Sequence, residues 1–279
     1  MIEKQLSWQE FKNEISKNNP TNRFFYRGQE DSSFALTTTL QRTGMKVDKR
    51  ILELYQTILN FHQGRVPRRL PDIPTGKSRL EQLIENFNTK TDVAILSVSS
   101  YFQHYGFPSP LLDWTISPDI ASYFAFRNIN KTITDQDAVS VYAFDVEEWM
   151  KNIPEPSANL MSEHEVFYPV ILKDDSYNSR IQKQKGKHIF SSVENIEQFV
   201  TAKEKQFDRQ FLVKYSIDVE ERPEVIKELD NKGISECTLF EGEDAFMRTL
   251  KERVFVLHTF SSRKLALEAL EQTMNKELK

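Results

Sequence analysis

Apolar positions recur at helical spacing in Trp8, Phe11 and Ile15, directly behind Ser7-Trp-Gln-Glu10, whose hydroxyl and carboxylate sit three apart as in a capping box. This predicts an N-terminal helix over about residues 5–18, ended by Asn18-Asn-Pro20. From Arg23 to Arg27 the run Phe24-Phe-Tyr26 is made of strand formers, and Gly28 closes it. Helical spacing returns over 47–63 (Ile51, Leu54, Tyr55, Ile58, Leu59), 78–88 and 91–105 (Val93, Ile95, Leu96, Val98, Phe102). Leu111-Leu-Asp-Trp-Thr115 reads as a short strand. Ser117-Pro-Asp opens a helix running to about Arg127, with Ser as N-cap and Pro at the first position.

In the second half, Ala138 to Asp145 alternates as a strand with Val139, Val141, Ala143 and also Phe144 as inward candidates. Val166 to Leu172, Gln210 to Ile217 and Cys237 to Phe240 are further strand candidates. Ser191-Ser-Val-Glu194 has the form of another helix start, Glu220 to Lys232 reads as a helix stopped by Gly233, and Gly242 to Leu250 is helical. The segment 261–278 is amphipathic through Leu265, Leu267, Leu270 and Met274, and 152–162 is the expected long loop. No linker divides the chain and no repeat recurs, so residues 1–279 are expected to form one mixed α/β (α+β) domain.

Composition narrows the classes. A net charge of −4 gives no global field toward nucleic acid, although local basic patches stay open. One cysteine, Cys237, rules out an internal disulfide and a multi-thiolate zinc site. No signal-like N-terminus or bilayer-length apolar run is present, so a cytoplasmic location without membrane attachment is expected.

Several residues have a chemical and a structural reading. Arg27, between an apolar strand and Gly28, is a fork for phosphate or carboxylate, with Gly28 letting a ligand approach the backbone, or a half-buried partner of a core carboxylate. His104 is a proton-relay candidate or a histidine favoured by a helix C-terminus. Asp113 fixes a ligand hydroxyl, orients His104 or bonds the backbone of a tight turn; the helix start at Ser117 supplies unpaired N–H groups. In the run 180–188, a strand would aim Gln182 and Gln184 one way and Lys183 and Lys185 the other, making Arg180, Lys183, Lys185 and Lys187 candidates for phosphate contact or a solvated face. Histidines are scattered without metal-ligand spacing, so no metal is expected.

These segments resemble the FRG domain family. The residues that carry the likeness are Phe25-Tyr-Arg-Gly-Gln29; Gln103-His-Tyr-Gly-Phe-Pro108 running into Leu111-Leu-Asp-Trp-Thr115 and Tyr123-Phe-Ala125; Arg180-Ile181 with Gln184 and Gly186; and Leu229 to Phe240. The resemblance spans about residues 23–250, and Ser109-Pro110 stands where the family commonly has Thr-Arg. More distantly, Tyr26-Arg27-Gly28 and Asp113-Trp114-Thr115 are similar to the first-strand and Ser-Thr-Ser motifs of ADP-ribosyltransferases of the Arg-Ser-Glu type.

That similarity implies a split β-sheet core and an NAD site. Arg27 would hold phosphate, the Gly28 backbone would hold the nicotinamide amide, and the Thr115 hydroxyl would support the site. Tyr26, Tyr123 or Phe124 would stack on nicotinamide. The position of the catalytic glutamate falls on Gln184, so the missing acid would be Asp113, Glu163 or Glu165, or the chemistry is lost. The implied activity is NAD-dependent transfer of ADP-ribose to nucleic acid, RNA favoured, or to protein, in a bacterial toxin or phage-defence effector with an antitoxin partner. A binding module on a degenerate scaffold is the alternative, and a nuclease using His104 and Asp113 is a third reading.

Overall fold

Among the described residues, seven strands build one sheet: β1 (Ile2–Gln5), β2 (Phe24–Gln29), β3 (Leu111–Thr115), β4 (Ala138–Asp145), β5 (Phe167–Val170), β6 (Gly186–Ser191) and β7 (Leu212–Asp218), in the order β1-β7-β4-β2-β3-β6-β5. Only β1 with β7 runs parallel; the other neighbours are antiparallel. The structure is a computed structural model that describes residues 1–18, 23–46, 99–100, 103, 106–128, 137–155, 165–170 and 179–255. The helices expected over 47–63, 78–88 and 261–278, most of the one over 91–105, and His104 and Glu163 lie outside the described residues.

Helices cover both faces, as the α+β expectation requires. They are α1 (Trp8–Asn18), α2 (Pro118–Phe126), α3 (Val146–Asn152), α4 (Ser179–Lys183), α5 (Ile196–Phe207), α6 (Arg222–Asn231), α7 (Glu236–Leu239) and α8 (Glu243–Phe255). The central strand β4 shows why there are two covers. Val139, Val141 and Ala143 join a cluster with Trp8, Phe11, Ile120, Phe126 and Leu229, whereas Tyr142 and Phe144 join one with Trp114, Trp149, Phe190 and Phe211. The alternation over 138–145 is therefore real, but its second face is buried as well.

Capping proceeds as the sequence requires at two helix starts. The Ser7 N–H donates to Glu10 Oε2 at 2.8 Å and the Glu10 N–H to Ser7 Oγ at 3.3 Å. Ser117 Oγ accepts the Ile120 N–H at 3.3 Å, with Pro in the first turn of α2. Elsewhere local reading is corrected. Residues 237–239 belong to helix α7, not a strand, because Ser235 and Thr238 close a capping box ahead of them. The helix placed at 191–194 begins instead at Ile196, where Asn195 accepts the Gln198 N–H at 2.9 Å. The basic run is not one strand: α4 ends at Lys183, Lys185 turns at φ 47, and β6 starts at Gly186. Strand β1 had no apolar signal; it is held by backbone pairing of Ile2–Gln5 to Val213–Ser216. Among the described residues no helix is long and apolar enough to cross a membrane.

Candidate functional site

The sheet parts between β2 and β3. These strands share one registered pair, Tyr26 with Thr115, whereas β2 pairs with β4 from Phe24 to Gln29 and β3 pairs with β6 from Leu111 to Thr115. Beyond Tyr26 the next β2 residue, Arg27, reaches across the gap, and its Nη1 donates to the Asp113 carbonyl at 2.5 Å. The three strands that carry the Arg27, Asp113-Trp-Thr115 and Gly186 signatures are thus neighbours in space, β2-β3-β6.

Arg27 is only partly satisfied. Its Nε is buried and makes no hydrogen bond among the described residues. Burial lowers its pKa, with Asp113 acting in the opposite sense and Arg42 adding like-charge repulsion. A buried guanidinium N–H without an acceptor is costly, so the position favours an incoming anion.

Asp113 is the carboxylate at this gap. Its Oδ2 accepts the Gln103 side-chain amide at 2.6 Å, and its Oδ1 lies 3.1 Å from His188 Nδ1. That second contact has ion-pair distance but falls outside hydrogen-bond alignment. His188 is buried and its Nε2 is 3.0 Å from Ser100 Oγ. Asp113 itself keeps 54% of its side chain exposed. Arg180 of α4 also acts electrostatically on Asp113. Gln103 lay inside the recognised signature, yet Ser100 and His188 were not singled out. Their one locatable cue is the β3–β6 register, which sets Asp113 opposite His188.

The other expected site residues are placed as follows. Thr115 is buried; its hydroxyl donates to the Gln184 carbonyl at 2.8 Å and accepts the Ser117 N–H at 3.1 Å. It therefore ties the end of β3 to the turn before β6 and to the start of α2. The Gln184 amide donates to the Leu239 carbonyl at 3.1 Å. Gly28 faces α2: a Cβ there would lie 1.9 Å from the Ala121 carbonyl oxygen and 2.7 Å from the Ala125 nitrogen. Its bareness serves close strand–helix packing. Tyr26 is in the core on that same side. The hydroxyl of buried Tyr123 meets Glu236 and Glu252, both at 3.1 Å, and Phe124 packs edge-on against Phe240 at 5.9 Å. Tyr26 and Tyr123 thus present no free ring face for stacking.

The basic residues do not form one stripe. The Arg180 guanidinium lies 4.3 Å from the Phe240 ring centroid, Lys183 pairs with Glu241 at 2.9 Å, and Lys185 is exposed in the turn. Lys187 stands opposite Trp114 in the β3–β6 register. Glu165 precedes β5 beside Val166, which bonds Ser192, so it sits at the end of β6 away from Gly186.

A buried ionic network behind α2 was not anticipated, because its members are scattered from Tyr123 to Glu252. Arg127 donates to Glu236 at 2.8 Å and Arg222 to Glu252 at 3.2 Å. Burial raises the Glu252 carboxyl to about 7, with Arg222 opposing. No group of three or more metal-ligating side chains occurs among the described residues.

Residues 22–133 match the family model of the FRG domain. The match takes in the first two signatures, those of Arg27 and Asp113; the two around Arg180 and Leu229 lie beyond it. No curated protein and no solved structure matches the chain.

Proposed function

From the FRG domain match over residues 22–133, we propose that this protein transfers ADP-ribose from NAD, with Arg27 holding a phosphate and Asp113 supplying the carboxylate that the Gln184 position lacks. The observation that carries this reading is the parting of β2 from β3, with Arg27 and Asp113 on its two sides. The buried Arg27 Nε has no acceptor among the described residues, and a phosphate oxygen is a group that would satisfy it. Gln184 has its amide engaged with Leu239, and a neutral amide cannot stabilise the positive charge that develops on the ribose. Asp113 has an exposed carboxylate, with one oxygen held by Gln103 and the other beside His188.

In the reaction the bond between the ribose C1′ and the nicotinamide nitrogen breaks, and its electron pair leaves with nicotinamide. The acceptor's nucleophile bonds to C1′ and gives up its proton to Asp113 or water. Thr115 acts through the backbone, holding β3, the turn at Gln184 and the start of α2 in one arrangement.

Calorimetric titration with NAD tests the binding half. The wild-type protein should bind, and Arg27→Gln should weaken binding at least about tenfold, since one charge-assisted contact contributes roughly 1.5–3 kcal/mol. Undiminished binding by the variant removes Arg27 from the site. The tied Gln184 amide favours one competing reading, a binding module without turnover, for which NAD would bind but release no nicotinamide.

A further inference from the structure

Resting on the transferase reading above, we propose that His188, held by Ser100, is the residue that positions Asp113 for the reaction. Ser100, His188 and Asp113 are connected in series: Ser100 Oγ is 3.0 Å from Nε2, and Asp113 Oδ1 is 3.1 Å from Nδ1. A serine hydrolase has the same connectivity, with the serine open to substrate. Here the accessibility runs the other way. Ser100 is 3% and His188 4% exposed, whereas the Asp113 side chain is 54% exposed. Substrate can reach the carboxylate and not the hydroxyl, so the chain of contacts serves Asp113.

The contacts also fix the protons. Were Nδ1 bare, its lone pair would face a carboxylate oxygen at 3.1 Å, two acceptors together. A proton on Nδ1 removes that conflict. In the neutral ring Nε2 is then the acceptor, and the Ser100 hydroxyl is its donor. The imidazole is therefore held as the Nδ1–H tautomer, with Nδ1 beside Oδ1 at 3.1 Å while the Gln103 amide takes Oδ2. Each carboxylate oxygen of Asp113 thus has a neighbour that can orient it, the Gln103 amide at Oδ2 and the His188 ring at Oδ1. The β3–β6 ladder sets Asp113 directly opposite His188. Misalignment of the kind seen at Nδ1 closes in many sites when a ligand settles.

Two measurements test this. In nitrogen-15 spectra of the labelled wild-type protein, the neutral His188 ring should show the proton on Nδ1; a proton on Nε2 overturns the proposal whatever the activity. In nicotinamide release from NAD, His188→Phe should lower kcat about 100-fold with KM changed by less than about twofold, the signature of misplaced machinery. His188→Asn, whose amide N–H can stand where Nδ1–H stood, should stay within about tenfold of wild type. A His188→Phe enzyme with full kcat, or an Asn variant no better than Phe, contradicts the positioning role. A folded wild-type protein that releases no nicotinamide takes down the transferase reading itself, an outcome separable from the other two.

Discussion

Replacing Gly28 by alanine separates two meanings of the same glycine. If Gly28 served only to admit a ligand, Gly28→Ala would disturb activity and leave folding alone. The structure places α2 against it instead, with a built Cβ 1.9 Å from the Ala121 oxygen and 2.7 Å from the Ala125 nitrogen. Both are backbone atoms, so no rotamer change relieves the clash. An ordinary contact needs about 3.4 Å, so the helix must retreat by roughly 1.5 Å. That movement loosens Ile120, Ala121, Tyr123, Ala125 and Phe126, all buried on α2. Overpacking of this kind costs about 3 kcal/mol when the surroundings cannot adjust. At the size of this chain the cost corresponds to a Tm lower by roughly 6–12 °C. Urea unfolding followed by far-UV circular dichroism measures it directly. A variant within about 0.5 kcal/mol of wild type would refute the packing argument.

Two more predictions rest on polar groups. Thr115→Val keeps the shape but removes the bonds to the Gln184 carbonyl and the Ser117 N–H, so it should destabilise the protein by about 1–3 kcal/mol in the same urea assay. Glu252 has a native pKa of about 7, above the 4.5 of an unperturbed glutamate, through burial. The folded state therefore binds its proton more tightly than the unfolded state. Stability from this group is full below pH 4.5 and falls as pH rises toward about 7, where the loss levels off. Glu252→Gln should flatten that part of the Tm–pH profile; an unchanged slope would assign it to other groups.

How far sequence reading reached can be seen from individual elements. Leu111–Thr115 and Ala138–Asp145 were legible because their strand character is local and their ends are marked, by Ser117-Pro118 in the first case. The Ser7 and Ser117 caps were legible for the same reason. Residues 237–240 were not, since a four-residue apolar run has no period, and what decides it is the bonding of Ser235 with Thr238. Strand β1 could not be read, because Ile2–Gln5 is mostly exposed and is held by backbone bonds to a strand some 210 residues away. The same limit governed the site. Arg27 and Asp113 stood inside recognisable motifs. His188 appeared as the end of a basic run, and its meaning depends on a strand register and on Ser100, 88 residues distant. Gly28 was marked by its motif, but its neighbour is a helix that sequence spacing could not place.

The central claim is that Asp113 at the parting of β2 and β3 supplies the carboxylate for cleavage of NAD. Nicotinamide release by wild type and by Asp113→Asn, each shown to be folded by circular dichroism, tests it most directly. The account predicts release by the wild-type protein and a loss of at least about 100-fold in the variant, as for removal of one electrostatic stabiliser from a transition state. Release that is absent from the wild type, or equal in the two proteins, would contradict it.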